Sequence, residues 1–497
     1  MDRTGVFLHT RHRIGSVDRR LFGGFVEHLG RAIYGGLYDP ESGASDESGW
    51  RTDVLEALRP LAFTVMRYPG GNFVSGYNWR DGVGPRSQRP ARLDEAWNAL
   101  EPNQIGTDEF LSLASAMDWE PMMAVNLGTG TPEEAASWVA YCNEPSDLAF
   151  GRLRSANGRT EPYNVRLWCL GNEMDGPWQL GHVPAGEYAA RARDAMVAMR
   201  RVTPEIEVVA CGSSNTDMET FLEWDRQVLE GIGEGVDYIS LHRYAAKKSA
   251  DTLDFLAITN DVDRQIESVD ATCRFVAEKG RFKRRAYLCF DEWNVWYRTQ
   301  FKRFSDAGGK FARPLIEERY NLEDALVVAG FVNSFIRHAD VVRVANLAQI
   351  VNAIAPVLTV GARLLIQSIY WPLAMMASRR EGVSLVVGLE GPSYVSNSYG
   401  PASYLDVAAI QDRDRVHVSM VNRSDRPGSA EVSVGDAGFR AIDGAQLMTG
   451  SGPEAENTLD QPDNVIAIDY REGRLVRGNA VFEMPPWSYL AATLILD

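Results

Sequence analysis

The chain has 497 residues, 67 of them acidic against 51 basic, and a formal net charge of −16. Such an excess of negative charge repels phosphate backbones, so nucleic acid is not expected as a partner. An apolar share of 45% with 24% charged residues is that of an ordinary globular protein, which excludes a disordered chain, a collagen-like fibre and a coiled-coil rod.

Five scattered cysteines, Cys142, Cys169, Cys211, Cys273 and Cys289, form no CxxC pair. That argues against a disulfide framework and a thiolate zinc site, and leaves them as small buried hydrophobes. Residues 1–17 lack the apolar core of a signal peptide, and no 18-residue apolar window is free of charge. The expectation is a cytoplasmic protein with no membrane partner.

In chain order, Gly5–His9 reads as a strand. From about residue 20 to 370, short apolar runs alternate with helical stretches. The candidate strands are Leu21–Glu27, Thr64–Arg67, Met122–Asn126, Val165–Leu170, Glu207–Cys211, Tyr238–Leu241, Ala286–Asp291 and Val342–Ala345. Most lack strict polar alternation, as expected of strands covered on both faces. Between the second and third, Thr107-Asp108-Glu109 opens a helix with Phe110, Leu113, Ala114 and Met117 on one face. Thr131-Pro132-Glu133-Glu134 combines a capping pattern with proline at the first helical position. Tyr188, Ala192, Ala195, Met199 and Val202 form a further stripe, and Asn321–His338 a long helix before the last strand. Eight strands with helical crossovers predict an α/β fold, a (β/α)8 TIM barrel over residues 15–375, with a doubly wound sheet as the alternative. After residue 375 short alternating segments appear, among them Ser384–Gly388, Val416–Val421, Ala430–Val434, Val465–Ile468 and Ala491–Leu496. They predict a C-terminal antiparallel β-sandwich over residues 376–497, with residues 1–14 contributing a strand.

Reactive side chains of such a barrel stand at the carboxyl ends of its strands. The residues there are Glu27-His28, then Arg67 through Asn72, Asn126, Gly171-Asn172-Glu173, His242-Arg243-Tyr244, Asp291 through Trp296, and Asn346 with Gln349. Glu173 and Glu292 stand out, after the fourth and seventh strands, with Trp293 and Trp296 beside the second. Two facing carboxyls suit glycoside hydrolysis, in which one protonates the leaving oxygen and the other attacks carbon or activates water. At the ~5 Å spacing of retaining enzymes, their repulsion at an effective dielectric near ~20 is ~3 kcal/mol, about two pKa units, which would lift one of them above about 6. Arg67 also has a plainer reading, as an ion-pair partner in the barrel core. Glu27-His28 lacks the second histidine of a metal motif, and Gly70-Gly71 is a turn and not a phosphate loop, so neither metal nor cofactor is expected.

The segments Phe25-Val26-Glu27-His28-Leu29-Gly30, Arg67-Tyr68-Pro69-Gly70-Gly71-Asn72-Phe73, Trp168 through Gly176, Ile239-Ser240-Leu241-His242 and Phe290 through Trp296 closely resemble glycoside hydrolase family 51, in its bacterial, intracellular-type α-L-arabinofuranosidase branch. The resemblance covers almost the whole chain, including Asn346-Leu347-Ala348-Gln349 and the terminal sandwich. It implies a retaining exo-glycosidase that releases terminal α-L-arabinofuranose from arabino-oligosaccharides or arabinoxylan fragments. Glu173 would be the acid/base and Glu292 the nucleophile. Asn172 would bind the 2-hydroxyl, and Glu27, Asn72 and Gln349 would complete the −1 pocket. Arg67 and Tyr244 would hydrogen-bond Glu292 and keep it ionised. His242 would lie near the acid/base, and Trp97 and Trp296 would wall the pocket or its leaving-group side. It also implies a homo-oligomer, often a hexamer.

Two positions depart from the family pattern: Arg243 after His242, where relatives often carry a small residue, and the loop Gly128-Thr129-Gly130-Thr131, where they often carry arginine. Both would bear on the leaving-group subsite. The alternatives are another glycosidase on the same scaffold (a galactofuranosidase, xylosidase or endoglucanase) or a non-catalytic sugar-binding protein.

Overall fold

The computed structural model describes residues 2–297 and 309–497. Eight parallel strands close into a barrel in chain order: Gly23–Phe25, Val65–Tyr68, Glu120–Ala124, Leu167–Leu170, Glu207–Ala210, Tyr238–Ala245, Tyr287–Val295 and Val342–Ala348. The eighth pairs with the first, which removes both sheet edges and excludes the doubly wound alternative. Each overlaps its candidate from the sequence. The first strand is only three residues long, because Asp18 caps a 3-10 turn over Arg19–Leu21. The last three run further than expected, so that His242, Tyr244, Glu292 and Asn346 lie within strands instead of after them.

Side chains alternate inward along each strand. Val65, Met122, Leu167, Cys289 and Val344 belong to one apolar cluster inside the barrel. Two residues further along their strands stand Arg67, Asp291 and Asn346, all essentially inaccessible. The interior is thus apolar below and polar toward the carboxyl ends. Gly23 is required by this packing, since a Cβ there would lie 2.1 Å from Asn346 Oδ1. All five cysteines are buried, two of them in the inner cluster.

The helices lie where their caps predict. Thr131 Oγ1 accepts the Glu134 N–H at the start of Pro132–Asn143, and Asn321 Oδ1 that of Asp324 at the start of Leu322–Arg337. This last helix is buried along almost its whole length because it lies between barrel and sandwich.

The sandwich has sheets of five and seven strands. Asp2–Leu8 enters the smaller one, antiparallel to Gly388–Glu390 but parallel to Gly428–Val434, so the sandwich contains one parallel pair. Arg13–Ser16 joins the larger sheet against Val383–Leu385, so the N-terminal segment supplies one strand to each sheet. Among the described residues, no helix is long and apolar enough to cross a membrane.

Charges tie the two layers together. Arg337, at the end of the sandwiched helix, reaches Asp406 of the sandwich at 2.9 Å and Asp263 of the barrel at 3.1 Å. Arg423 meets Asp406 at 3.2 Å, and His338 meets Asp263 at 3.3 Å. Burial pushes the Asp263 carboxyl up, but Arg337 and His338 outweigh it and hold it below the usual carboxylate range. A depressed carboxyl contributes stability above its unfolded value, lost as pH falls toward the folded one. Arg337→Met is expected to cost about 2–3 kcal/mol by removing one cationic partner from each of two acids, read as a lower melting temperature at pH 7. The difference from the unaltered protein should shrink as the pH falls below about 4.

Candidate active site

Glu173 and Glu292 face each other at the carboxyl rim of the barrel. Glu173 follows the fourth strand on a turn that Gly171 opens at φ 93°, and it takes the left-handed region itself at φ 41°. For a residue with a Cβ this is a strained conformation, of the kind that collects at functional sites. His242 of the sixth strand links the two acids. Its Nδ1 is 2.9 Å from Glu173 Oε1 and 3.5 Å from Glu292 Oε2, and its Nε2 is 3.3 Å from Asp291 Oδ1.

Glu292 and Asp291 are consecutive in one strand, so regular alternation would send them to opposite faces. The register slips between Ser240 and His242 on one neighbour, and between Phe290 and Trp293 against the other. That bulge lets both carboxylates reach Arg67 and His242. Arg67 donates to Glu292 Oε1 at 2.6 Å and to Asn172 Oδ1 at 2.8 Å, and its Nε lies 3.2 Å from Asp291. The core ion-pair reading of Arg67 and the site reading therefore both hold. The Tyr244 hydroxyl donates to Glu292 Oε2 at 2.8 Å, and Ser240 bonds Asp291.

Glu27 forms the second wall. Its Oε1 accepts the Phe73 N–H at 3.0 Å and the Trp97 indole N–H at 2.9 Å. Gln349 clasps it twice, through Nε2 to Oε2 at 3.1 Å and from the Glu27 N–H to Oε1 at 2.9 Å. Asn172 Nδ2 reaches Asn72 at 3.4 Å. A Cβ at Gly71 would lie 2.7 Å from Glu292 Oε1, 3.4 Å from Asn172 Nδ2 and 3.5 Å from Glu27 Oε2, so these three groups converge on one point that only glycine leaves open. Trp296 stands edge-on to Tyr244, with centroids 5.1 Å apart. Every site residue named from the sequence thus joins this constellation, either directly or through one hydrogen-bonded or packed neighbour.

The two family departures take definite places. The Gly128–Thr131 loop is held by Asn126, whose Oδ1 accepts from Gly128, Thr129 and Gly130. Arg243 does not place an uncompensated charge at the rim: it is buried and paired with Asp261. Sequence reasoning missed Trp178, whose indole donates to Glu173 Oε2 at 2.5 Å while the residue stays half exposed. It also missed Gln179, which bonds Asn172 and Ser75, and the role of Asp291. Trp178 lies just past the quoted Trp168–Gly176 motif. Asp291 follows Cys289 by two residues and faces inward by regular alternation, and the register shift brings Glu292 in beside it.

Burial is the largest influence on Glu292 and pushes its carboxyl up, joined by Glu173 and Asp291, while His242 and Arg67 pull it down. The lift was expected on the acid and from charge repulsion; the push resolved here falls on Glu292, the expected nucleophile, and burial is its main cause. Burial and Glu292 lift Glu27 to about 8. Burial opposes charge on His242, but Glu292, Asp291 and Glu173 outweigh it and hold the imidazole well above its ordinary value. The raised imidazole favours the doubly protonated ring, whose Nδ1–H and Nε2–H would face Glu173 and Asp291. One ligand atom each from Glu173, His242 and Glu292 lies within 4.8 Å of the others, a spacing that fits a cation, but a cation would have to displace the imidazole proton. Asp291→Asn is expected to lower the His242 pKa by about one unit or more, read by NMR titration of the imidazole. No change would mean that Asp291 does not stabilise its charge.

The chain matches two family descriptions, "Alpha-L-arabinofuranosidase 1 domain" over residues 57–264 and "Alpha-L-arabinofuranosidase C-terminal domain" over residues 291–488. It is 42% identical to an intracellular exo-α-(1→5)-L-arabinofuranosidase of Bacillus subtilis over 87% of each chain. It is 38% identical to an exo-α-(1→6)-L-arabinofuranosidase of Bifidobacterium longum over 91% of this chain and 89% of that one. A solved family 51 α-L-arabinofuranosidase of B. longum superposes with a TM-score of 0.95 at 34% identity, over 99% of both chains. The arabinose complex of the Thermotoga maritima α-L-arabinofuranosidase gives 0.88 at 31%, over 99% and 100%. Together with the paired glutamates at the barrel rim, these likenesses establish that the chain belongs to the α-L-arabinofuranosidases of glycoside hydrolase family 51.

Proposed function

We propose that the protein is a retaining exo-α-L-arabinofuranosidase, releasing terminal arabinofuranose from arabino-oligosaccharides or arabinoxylan fragments by double displacement. The observation that carries the mechanism is the closeness of the two carboxyls, with oxygens of Glu173 and Glu292 within 4.8 Å of each other across His242. This closeness of one oxygen from each supports the ~5–5.5 Å carboxyl spacing of retaining enzymes over the ~6.5–9.5 Å of inverting ones. Names of relatives support the sugar, and differ in the linkage, (1→5) or (1→6).

In this reading Glu292 attacks the anomeric carbon while Glu173 gives its proton to the leaving oxygen. Arg67 and Tyr244 both hydrogen-bond Glu292 and favour negative charge on it against the push of burial, which suits it to attack while Glu173 acts as the donor. Once Glu292 is esterified its charge is gone, and Glu173, now ionised, takes a proton from water to release the sugar. Glu27, Asn72, Asn172 and Gln349 hold the sugar hydroxyls, and Trp97 and Trp296 bound the pocket. No metal or cofactor enters a step. Residues 15–375 form the catalytic unit and 376–497 the sandwich unit. The protein is read as a cytoplasmic homo-oligomer, with a hexamer implied by the family resemblance.

Glu173→Ala is expected to lose roughly 10²–10⁴ in rate on substrates with poor leaving groups. It should lose far less on the first step with an activated aryl arabinofuranoside, and azide should restore turnover. Equal loss on all leaving groups without rescue would contradict the assignment. A 2-fluoro arabinofuranoside inactivator should label Glu292, and peptide mapping to Asp291 would reverse that choice. Strong turnover of another nitrophenyl glycoside, with none of the arabinofuranoside, would overturn the substrate. A chelator should leave the rate unchanged.

A further inference from the structure

Arg243 follows His242 in the sixth strand and is about nine-tenths buried. Its guanidinium donates to the Thr216 hydroxyl at 2.5 Å and to Asp261. Asp261 also pairs with Arg264 at 2.9 Å, so its charge does not depend on Arg243 alone. Thr216 lies in the segment after the fifth strand. Two residues before it, Ser214 gives its N–H and hydroxyl to Asp175 Oδ2, at 2.8 and 3.1 Å. Asp175 is two residues past Glu173, on the same turn. The segment is therefore tied at Ser214 to the turn that carries Glu173. At Thr216 it is tied to the residue beside His242, which holds Glu173 in place.

The outer side of this clamp is closed by the sandwich. The hairpin Ser393–Ser396 and Gly400–Ser403 docks on the barrel through the Ser396 and Ser398 hydroxyls to Asp254, at 2.5 and 2.7 Å. The Tyr394 hydroxyl donates to the Leu253 carbonyl and the Asn260 amide to Pro401. Tyr399, in the hairpin turn, packs against the barrel core. The charge of Arg243 itself is neutralised by Asp261, and its bond to Thr216 fixes its direction.

We propose that Arg243 is a positioning residue for the sugar leaving group: it pins residues 213–217 against the turn of the acid, and these form a fixed polar wall on the leaving-group side. The inference rests on Glu173 being the acid, since the leaving oxygen then lies at Glu173 and the group attached to it faces this segment. Asn215 and Asp217 supply the hydrogen-bonding groups at its accessible edge, and Asn215 Oδ1 already accepts the Asp217 N–H at 2.9 Å. A nitrophenyl leaving group is small and activated, and draws little from such a wall. A second sugar draws more.

The test compares an arabinofuranosyl disaccharide with nitrophenyl arabinofuranoside. Arg243→Met removes the clamp and also a buried Nε donor that has no hydrogen-bond partner, so the barrel should tolerate it. Its kcat/KM on the disaccharide should fall about tenfold, mostly through KM, while the aryl substrate stays within about twofold. Thr216→Val, at a partly exposed position, should act in the same direction, Thr216→Ser should restore the disaccharide rate, and the double variant should be no worse than Arg243→Met alone. Parallel loss on both substrates would overturn the inference. So would unchanged disaccharide kinetics in a folded Arg243→Met, or additive effects of the two changes. If the unaltered protein hydrolyses neither substrate, the functional reading falls and this inference with it. If it hydrolyses both and the ratio does not move, only this inference falls.

Discussion

Three carboxyl groups, Glu173, Asp291 and Glu292, share two cations, Arg67 and His242, inside the mouth of a barrel that water scarcely enters. A buried charge is tolerated only when paired. Charge balance therefore constrains protonation: with Arg67 and His242 positive, and Asp291 held below its ordinary range mainly by Arg67 and His242 against the push of burial, one further negative charge makes the cluster neutral. One proton held between the glutamates is what the proposed double displacement needs.

The rest of the molecule keeps that cluster in place. The barrel supplies inward positions at a spacing of two residues, and an apolar layer beneath them excludes water. The bulge in the seventh strand adds a second inward carboxylate where regular pairing would allow one. Short glycines at Gly23 and Gly71 leave room for Asn346 and for the pocket itself. The hairpin Ser393–Ser396 and Gly400–Ser403 bonds the barrel at Leu253, Asp254 and Asn260, and Arg337 ties the end of the helix Leu322–Arg337 to both layers.

The two solved neighbours named above superpose along almost the full chain, and the named relatives differ in linkage, (1→5) or (1→6). In the reading proposed for this chain, segments that meet the leaving group are where such a preference would be set. In this chain Arg243 and the Gly128–Thr131 loop are the two such places visible from the residues alone. One is a buried clamp, and the other a tight loop organised by Asn126.

Much was legible in the amino-acid order. All eight barrel strands, the cap at Thr131, the helix from Asn321 and the later sandwich follow from local pattern, because apolar period and capping chemistry act over a few residues. Glu173 and Glu292, and the polar residues around them, could be named because parallel strands deliver their following residues to one rim. The sequence alone could not say that Glu292 turns inward beside Asp291, that Trp178 folds back onto Glu173, or that burial lifts Glu292. Nor could it say that Arg243 is neutralised by Asp261, that the first two segments of the chain divide between two sheets, or that one of them pairs in parallel. Each depends on strand register or on groups distant in the chain meeting in a medium of low polarity, and only closure of the tertiary structure sets those distances.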